Sequence, residues 1–325
     1  MKAIVVRQSG GPEVVRVGDV PEPEPGPQEI RVRVRAAGMN RADILQRQGN
    51  YPAPPGSPQD VLGLEFAGEV ESVGAEVRLW RVGDRVYGIC GGGGQAELVV
   101  THERAVAAIP DNLDVVAAGG VPEVFITVYD ALFTQAQLVI GESVLIHAVG
   151  SGIGTTALQL ARVSGARTFG TSRTPEKLER AKALGLEQAI AAEGFAATVG
   201  ERTGGEGVHV ILDVVGGAYL AGNVAALGLK GRLVMLATLG GGDQPLPVHL
   251  VMSKRLRIIG TVLRARPLEE KIAATQAFAR HVNPLLASGA VRPIVDNVFA
   301  MSQAAEAHAY MEANASFGKI VLTVP

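Results

Sequence analysis

The stretch that decides the fold is residues 144–162, VLIHAVGSGIGTTALQLAR. An uncharged apolar run, typical of a buried strand, leads directly into Gly150, Gly152 and Gly154, and an amphipathic helical segment follows. A dinucleotide pyrophosphate can lie against the backbone N–H groups of such a helix start, because glycines leave the approach open. The spacing G-S-G-I-G differs from the usual G-x-G-x-x-G, so the strand-turn-helix context carries the prediction. We expect residues Gly150, Ser151, Gly152, Ile153 and Gly154 to bind a dinucleotide; a glycine-rich packing turn is the alternative.

Strand-like and helical runs alternate on both sides of this stretch. Helices are predicted for residues 153–164 and 175–184, and strands for 143–148, 167–171, 208–215, 232–237 and 256–261. Such alternation with short connections predicts a parallel sheet covered by helices. The chain before residue 122 is instead rich in short β-type runs, including the alternating IRVRVR of residues 30–35. Its three arginines are interpreted as a solvated strand face.

The last part of the chain has a different pattern. One long helix is predicted over residues 268–287, followed by strands over 291–299 and 319–324. Because these strands have no helical partners of their own, we expect them to return to the first, β-rich domain.

Composition excludes several classes of protein. A length of 325 residues predicts about two domains. The net charge of −2 does not favour a nucleic-acid partner or a membrane anchor. A single cysteine, Cys90, excludes an internal disulfide and a cysteine zinc cluster. The longest uncharged stretch contains His, Gln and several Gly, so it is interpreted as folded core. We therefore expect a cytoplasmic protein.

The end of the next predicted strand bears on the choice of dinucleotide. NAD sites usually place Asp or Glu there to bind the ribose hydroxyls. This chain has TSRTPEK at residues 171–177, with no acid at the strand tip. Ser172, Arg173 and Lys177 are suited to hydrogen bond and pair with a 2′-phosphate, which favours NADPH. The alternative is that Arg173 and Lys177 are ordinary solvated residues at a helix start.

Several motifs together resemble the zinc-free quinone oxidoreductase branch of the medium-chain dehydrogenase/reductase superfamily. The resemblance spans essentially the whole chain and is strongest to the zeta-crystallin-like, tumour-suppressor-inducible group. The motifs that carry it are GMNRAD (38–43), QRQGNYP (46–52), LGLEFAG (62–68), VGDRV (82–86), LIH (145–147), AHAYMEAN (307–314) and GKIVL (318–322).

The resemblance implies an α/β fold in which a doubly wound Rossmann domain is inserted into a GroES-like β-rich domain. The implied boundaries are residues 1–122 and 268–325 for the GroES-like catalytic domain and 123–267 for the Rossmann domain. The cofactor is implied to lie in a cleft between them. The relatives that bind zinc place a Cys ligand where this chain has Asn40 and a His ligand where it has Leu64. One remaining acid, Glu65, cannot hold a catalytic zinc, so no metal is expected.

The resemblance also assigns roles to individual residues. Tyr51 and Asn40 match positions that line the nicotinamide, and both are donors for a developing oxyanion. Thr127 is implied to hydrogen bond the nicotinamide. Further cofactor contacts are implied for Val214, Leu236, Leu239, Leu263, Asn314 and Lys319. Some relatives carry a Tyr near the 2′-phosphate where this chain has Ala192, which weakens the NADPH assignment.

The predicted function is metal-free, NADPH-dependent reduction of a quinone. The alternative is reduction of an activated double bond in an enal, enone or enoyl thioester. A thioester of coenzyme A needs a basic entrance for its phosphates, and one cationic cluster could provide it: Lys254, Arg255, Arg257, Arg264 and Arg266. The other interpretation of this cluster is a surface or a subunit interface. A binding protein for RNA, as for some zeta-crystallin relatives, fits poorly with 4% aromatic residues.

The family pairs Rossmann domains edge to edge, which implies a homodimer or homotetramer through residues 256–263. The physiological acceptor and one-electron versus two-electron transfer stay open.

Overall fold

The computed structural model describes residues 1–325, and its strands form three sheets: two large ones and an antiparallel pair made by the first two strands. The strands, in chain order, are β1 (Lys2–Val5), β2 (Arg16–Asp19), β3 (Glu29–Met39), β4 (Glu65–Val73), β5 (Arg85–Ile89), β6 (Leu98–His102), β7 (Val106–Ala108), β8 (Ser143–Ile146), β9 (Arg167–Ser172), β10 (Gln188–Ala191), β11 (Val208–Asp213), β12 (Leu227–Met235), β13 (Arg257–Gly260), β14 (Val295–Ala300) and β15 (Lys319–Thr323).

The α-helices alternate with these strands most regularly in the middle of the chain. They are α1 (Arg41–Arg47), α2 (Val115–Gly119), α3 (Pro122–Tyr129), α4 (Gly152–Val163), α5 (Pro175–Ala183), α6 (Phe195–Arg202), α7 (Leu220–Ala226), α8 (Val248–Lys254), α9 (Leu268–His281), α10 (Asn283–Ala287) and α11 (Ala304–Glu312). None of them combines the length and the apolar character needed to span a membrane.

The chain divides into two units. The first comprises Met1–Ile126 and Leu263–Pro325, and the second is Thr127–Val262. The predicted boundaries, 122/123 and 267/268, fall a few residues from these positions. The difference matters for Leu263 and Arg264, which belong to the first unit.

A six-stranded sheet forms the second unit, in the order β10-β9-β8-β11-β12-β13. Every neighbouring pair is parallel, so the parallel sheet expected from the strand-helix alternation is confirmed. Leu145 of β8, Phe169 of β9 and Ile211 of β11 are fully buried in its core. These central strands are apolar because a sheet covered on both faces leaves no side for polar residues.

A seven-stranded sheet forms the first unit, in the order β14-β15-β3-β4-β5-β7, with β6 also paired to β3. The chain end returns here: β15 pairs antiparallel with β3, and β14 pairs parallel with β15. On the outer face of β3, Arg31 and Arg33 both pair with Glu71 of β4. The side chain of Arg31 is only 16% exposed and that of Arg33 is 42% exposed, so the solvated-face interpretation of the IRVRVR run fits Arg33 better than Arg31.

The helix predicted over residues 268–287 is wrong in one respect, because it is two helices. α9 ends at His281 and α10 begins at Asn283. Pro284 follows in the first turn of α10, a position where its missing N–H costs little, whereas the interior of one long helix would lose a hydrogen bond there.

Candidate active site

The strand order of the second unit creates a natural binding position. From β8 the chain moves outward through β9 and β10 on one side, then through β11, β12 and β13 on the other. The reversal occurs between β8 and β11, and open α/β sheets bind ligands outside the carboxyl ends of the strands at such a point. Residues 150–154 follow β8 directly, so the structure brings the predicted dinucleotide-binding turn to this position.

The start of α4 has the geometry of an anion-binding helix N-terminus. Ser151 is the N-cap, and its Oγ accepts a hydrogen bond from the Gly154 amide at 3.0 Å. The amides of Gly152 and Ile153 belong to the first turn, which has no carbonyl partners within the helix. These N–H groups and the positive end of the helix dipole favour a phosphate.

Gly154 explains why the motif needs glycine inside the helix. A Cβ at this position would lie 2.4 Å from the carbonyl oxygen of Ala148 and 2.6 Å from the backbone of Val149. Only glycine therefore lets α4 start so close to the end of β8. The close approach of helix and strand is what the third glycine of a dinucleotide motif provides.

Thr127 supplies a second test of whether a nicotinamide cofactor fits. It lies on α3, and its Oγ1 is buried with no hydrogen-bond partner. A buried polar atom without a partner costs free energy unless a ligand or water supplies one. The residues present thus fit a nicotinamide dinucleotide, and the contact between Thr127 and the nicotinamide stays a prediction.

His147 lies at the end of β8 and is fully buried. Its Nε2 donates to Asn223 Oδ1 at 2.6 Å, because the Asn223 amide nitrogen donates to Asp213 at 2.8 Å. Its Nδ1 then accepts from the Thr171 hydroxyl at 2.8 Å. Burial lowers the pKa of His147, which keeps the ring neutral. This series of hydrogen bonds links the ends of β8, β9 and β11 and supports a structural role for His147.

Sequence patterns did not indicate Asn223 and Asp213 as the hydrogen-bond partners around His147. Asp213 accepts hydrogen bonds from the amides of Val215 at 2.7 Å and Gly216 at 3.0 Å through its Oδ1. It thereby shapes the turn after β11, where Val214 is buried. An Asp at the end of an apolar strand was the signal available, since a buried acid needs such partners.

The predicted 2′-phosphate residues lie at the end of β9 and the start of α5. Ser172 is nearly buried, and its Oγ accepts from the Thr174 amide at 3.1 Å. Arg173 is exposed at the strand tip, and Lys177 lies in the first turn of α5. No acid stands at the tip, as the sequence indicated.

An aromatic residue near Arg173 was not anticipated. Tyr219 packs edge-on against His147, with ring centroids 4.8 Å apart, and its ring is tilted by 35° against that of Phe195 at 5.2 Å. Burial raises the pKa of the Tyr219 phenol, and the charge of Arg173 opposes that shift. Ala192, where some relatives have a Tyr, lies beside the same edge, since its amide donates to the Ser172 carbonyl at 3.0 Å.

The other predicted cofactor contacts divide between the units. Leu236 follows β12, and its amide donates to the Asp213 carbonyl at 2.8 Å, so it lies at the same sheet edge as Val214. Leu239 is exposed in the following turn. Leu263 is buried and belongs to the first unit.

In the first unit, Asn40 and Lys319 meet at a buried carboxylate. The Lys319 ammonium donates to Glu65 Oε1 at 2.6 Å, to Asn40 Oδ1 at 2.7 Å and to the Met39 carbonyl at 2.7 Å. Asn40 Nδ2 donates to Glu65 Oε1 at 2.8 Å. Glu65 is fully buried, and its Oε2 accepts from the Glu123 amide at 2.9 Å.

This network changes the interpretation of both residues. An ammonium has three donors, and all three of Lys319 are taken. We therefore revise Lys319 from a cofactor contact to a residue that neutralises Glu65. The Asn40 amide would have to give up Glu65 to act as an oxyanion donor, so the role of Asn40 as second donor stays a prediction. Asn314 accepts instead from the Arg41 guanidinium at 2.8 Å.

Two further acids lie around this network. Asp43 is buried and accepts from the amides of Asn40 at 2.8 Å and Gly63 at 3.2 Å. Burial raises the pKa of Asp43 to about 6. Burial, and then the neighbouring Glu65 carboxylate, raise the pKa of Glu123 to about 8. Near neutral pH the Glu123 carboxyl is therefore mostly protonated.

Tyr51 lies half-buried in the segment after α1. Burial and the nearby Glu123 raise the pKa of the Tyr51 phenol, while Arg264 lowers it. The Arg264 guanidinium lies 5.1 Å from the centroid of the Tyr51 ring. The phenol is thus protonated near neutral pH and available as a donor.

Two members of the cationic cluster seen in the sequence are engaged within their own units, while Arg255 and Arg257 are exposed. Arg264 is buried in the first unit. Lys254 donates to the carbonyls of Ala225 and Leu227, both at 2.7 Å, and so caps the end of α7. No group of three or more His, Cys, Asp or Glu side chains forms a metal-ligand set.

Comparisons with known proteins agree with this arrangement. The model for the alcohol dehydrogenase GroES-like domain matches residues 26–111, and the model for zinc-binding dehydrogenases matches residues 152–280. The quinone oxidoreductase of Pseudomonas aeruginosa is 35% identical over 99% of this chain and 99% of its own.

Solved structures give two further similarities over the full chain. A crystal structure described as an NAD-dependent alcohol dehydrogenase has a TM-score of 0.88 and 32% identity, covering 100% of both chains. The CurK enoyl reductase has a TM-score of 0.88 and 27% identity, covering 100% of this chain and 99% of its own.

Proposed function

Since the chain belongs to the medium-chain dehydrogenase/reductase superfamily of oxidoreductases, we propose that it reduces quinones with NADPH and without a metal. The similarity to quinone oxidoreductases over nearly the full length supports the substrate class. The fold implies a nicotinamide cofactor, which supplies the hydride when bound. The residues of the second unit described above bind and orient it.

The observation that carries the proposal is the Tyr51 phenol. Hydride transfer to a quinone carbonyl carbon leaves negative charge on the oxygen, and a positioned donor stabilises that charge. Tyr51 is half-buried, and its phenol is protonated near neutral pH. It can donate its proton to the oxygen and recover one from water. The resulting hydroxyketone then loses its carbon-bound proton to water while its second carbonyl oxygen takes up a proton, so that quinone, NADPH and a proton give hydroquinone and NADP⁺ in total.

The preference for NADPH over NADH is part of the same proposal. Arg173 is an exposed cation at the tip of β9, with Ser172 before it and Lys177 one turn into α5. Tyr219 beside Arg173 offers the aromatic surface that Ala192 lacks. The similarity to an NAD-dependent alcohol dehydrogenase is the reason to measure both cofactors.

Reduction of an enoyl thioester is the second candidate, favoured by the similarity to an enoyl reductase. The same Tyr51 donor serves an enolate oxygen. The basic entrance that coenzyme A phosphates require is weaker than the sequence suggested, because Arg264 and Lys254 donate to groups within their own units. We therefore place the quinone first.

Stopped-flow oxidation of NADPH against 9,10-phenanthrenequinone and a medium-chain trans-2-enoyl thioester separates the two candidates. Turnover of the quinone alone supports the proposal, and turnover of the thioester alone replaces it with the second candidate. Tyr51→Phe should lower quinone turnover with little change in NADPH affinity. Tyr310→Phe is the matched control, because the Tyr310 hydroxyl on α11 donates to Asp296 of β14 at 2.8 Å. Unchanged turnover in Tyr51→Phe would remove the donor role.

A further inference from the structure

Arg264 is the first charged residue of the returning chain segment, and it is only 5% exposed. Its three nitrogens donate to three different places in the first unit. Nε donates to the Gly91 carbonyl at 2.8 Å, Nη1 to the Tyr51 carbonyl at 3.1 Å and Nη2 to Gln46 Oε1 at 2.5 Å. A guanidinium does this because its donors point outward in a fixed plane.

The same guanidinium also faces the Tyr51 ring. Its central carbon lies 5.1 Å from the ring centroid, within the distance at which a cation is attracted to an aromatic face. Arg264 therefore contacts Tyr51 twice, once at the backbone carbonyl and once at the ring. A lysine ammonium keeps the charge but cannot make this set of contacts from one planar group.

The segment that carries Tyr51 has no regular secondary structure. Residues 50–60 form no helix or strand and include four prolines. Gln46 links Arg264 to the far end of the segment, because its Nε2 donates to the Gln59 carbonyl at 3.1 Å. Arg264 and Gln46 together thus fasten the segment near both of its ends.

We propose that Arg264 is a positioning residue that sets the direction of the Tyr51 hydroxyl by binding the Tyr51 carbonyl and ring. The inference rests on the proposed function, in which Tyr51 donates to the reacting oxygen. A donor displaced by about 1 Å loses much of its effect, so the cost of losing the Arg264 contacts should appear in turnover through Tyr51.

Charges around the pair bear on the phenol as well. Glu123 and Arg264 act on Tyr51, and Asp43, Cys90 and Glu123 act on Arg264. Because Arg264→Lys keeps a positive charge, it separates the loss of geometry from the loss of charge.

A double-mutant cycle tests the proposal. Arg264→Lys should lower kcat for quinone reduction by about 10- to 100-fold with little change in the KM for NADPH. In a Tyr51→Phe background the same substitution should lower kcat by less than about 2-fold, because the hydroxyl it positions is absent. Equal losses in both backgrounds would overturn the proposal, since Arg264 would then act independently of Tyr51.

A second readout needs no substrate. NMR spectra of the protein labelled with ¹³C-tyrosine give a Tyr51 signal, identified by its loss in Tyr51→Phe. Arg264→Lys should shift or broaden this signal and leave the other tyrosines unchanged. An unchanged Tyr51 signal would overturn the positioning role even if the enzyme is active. A shifted signal in a protein that reduces no quinone would instead reject the proposed function and leave the positioning intact.

Two further variants keep the test valid if Arg264→Lys folds poorly. Gln46→Ala removes one acceptor and the link to Gln59 while leaving Arg264 in place, and it should lower kcat a few-fold only when Tyr51 is present. Arg47→Lys is the matched control, a buried arginine of the same unit that donates to the Gly10 carbonyl at 3.1 Å and pairs with Glu312. It should lower the melting temperature without moving the Tyr51 signal. A similar Tyr51 shift in Arg47→Lys would mean that any loss of a buried arginine disturbs the segment, which overturns a specific role for Arg264.

Discussion

Replacing Lys319 by Met tests the most consequential difference between the sequence prediction and the structure. The ammonium is 4% exposed and lies 2.6 Å from Glu65 Oε1, and Glu65 is fully buried. Methionine fills a similar volume, so the main change is chemical. Glu65 keeps the Asn40 amide and the Glu123 backbone N–H but loses its cation, while Met39 and Asn40 each lose a donor.

The expected cost follows from leaving a buried charge without its partner. Such changes destabilise proteins by about 3–5 kcal/mol. Urea unfolding followed by tryptophan fluorescence measures this, because the single tryptophan, Trp80, lies in the same unit and donates to the Glu103 carbonyl at 2.7 Å. The double variant Lys319→Met/Glu65→Gln should be less destabilised than the two single variants together, because it no longer buries an unpaired charge.

The control is Lys2→Met, which breaks the exposed pair with Asp19 in the same unit and should change stability little. NADPH affinity decides the role. A residue that only neutralises Glu65 should leave the Kd of NADPH within about 3-fold, well under the 1.4 kcal/mol of a tenfold change. A loss of less than about 1 kcal/mol of stability together with a tenfold weaker NADPH affinity would refute our assignment and restore Lys319 as a cofactor contact.

Three further predictions concern the cofactor, the pH dependence and the assembly. Replacing Arg173 and Lys177 by Ala should weaken NADPH by about 1–3 kcal/mol and leave NADH nearly unchanged, measured by fluorescence titration; equal weakening would refute the 2′-phosphate assignment. Burial and the Arg47 charge lower the pKa of His308 to about 3, so the unfolded chain takes up a proton below pH ~6.5 and the folded one does not. Stability from this group is therefore lost on acidification, by about 2 kcal/mol between pH 7 and 5, and unfolding of His308→Gln should show a correspondingly flatter pH slope; an equal slope would contradict the assignment. β13 is an edge strand with Ile258 partly exposed, and Ile258→Asp should halve the mass measured by light scattering if β13 pairs two copies of the chain; an unchanged oligomeric mass would place the interface elsewhere.

The parts of the site that depend on local sequence were predictable. Glycines after a buried strand, a serine cap and a following amphipathic helix all lie within one short stretch, and each feature is determined by its neighbours in the chain. The missing acid after β9 was equally visible, because the position of a strand tip follows from the strand itself. The glycine-rich turn of residues 150–154 and the position of Ser172 and Arg173 at the end of β9 could therefore be located from the sequence alone.

The directions of long charged side chains could not be predicted in the same way. Lys319 meets Glu65 across 254 positions of sequence, and Arg264 meets Gln46 across 218. A run of basic residues predicts a charged surface, since most Lys and Arg are exposed. Their apolar stems also allow burial wherever the fold supplies enough acceptors. Only the three-dimensional structure shows that Arg264, among the five basic residues of the cationic cluster, is buried.

Arg264 and Lys319 share a feature that connects the fold with the chemistry. Both belong to the returning segment Leu263–Pro325, and each donates to residues between positions 39 and 91. Lys319 also anchors β15 at the start of its pairing with β3. The return of the chain therefore delivers two buried cations to the segment that holds Tyr51 and Glu65. The Lys319 ammonium neutralises Glu65 from within the chain. In the proposed reaction Tyr51 is then the group that meets negative charge on the substrate, so we expect activity to depend on the geometry around Tyr51.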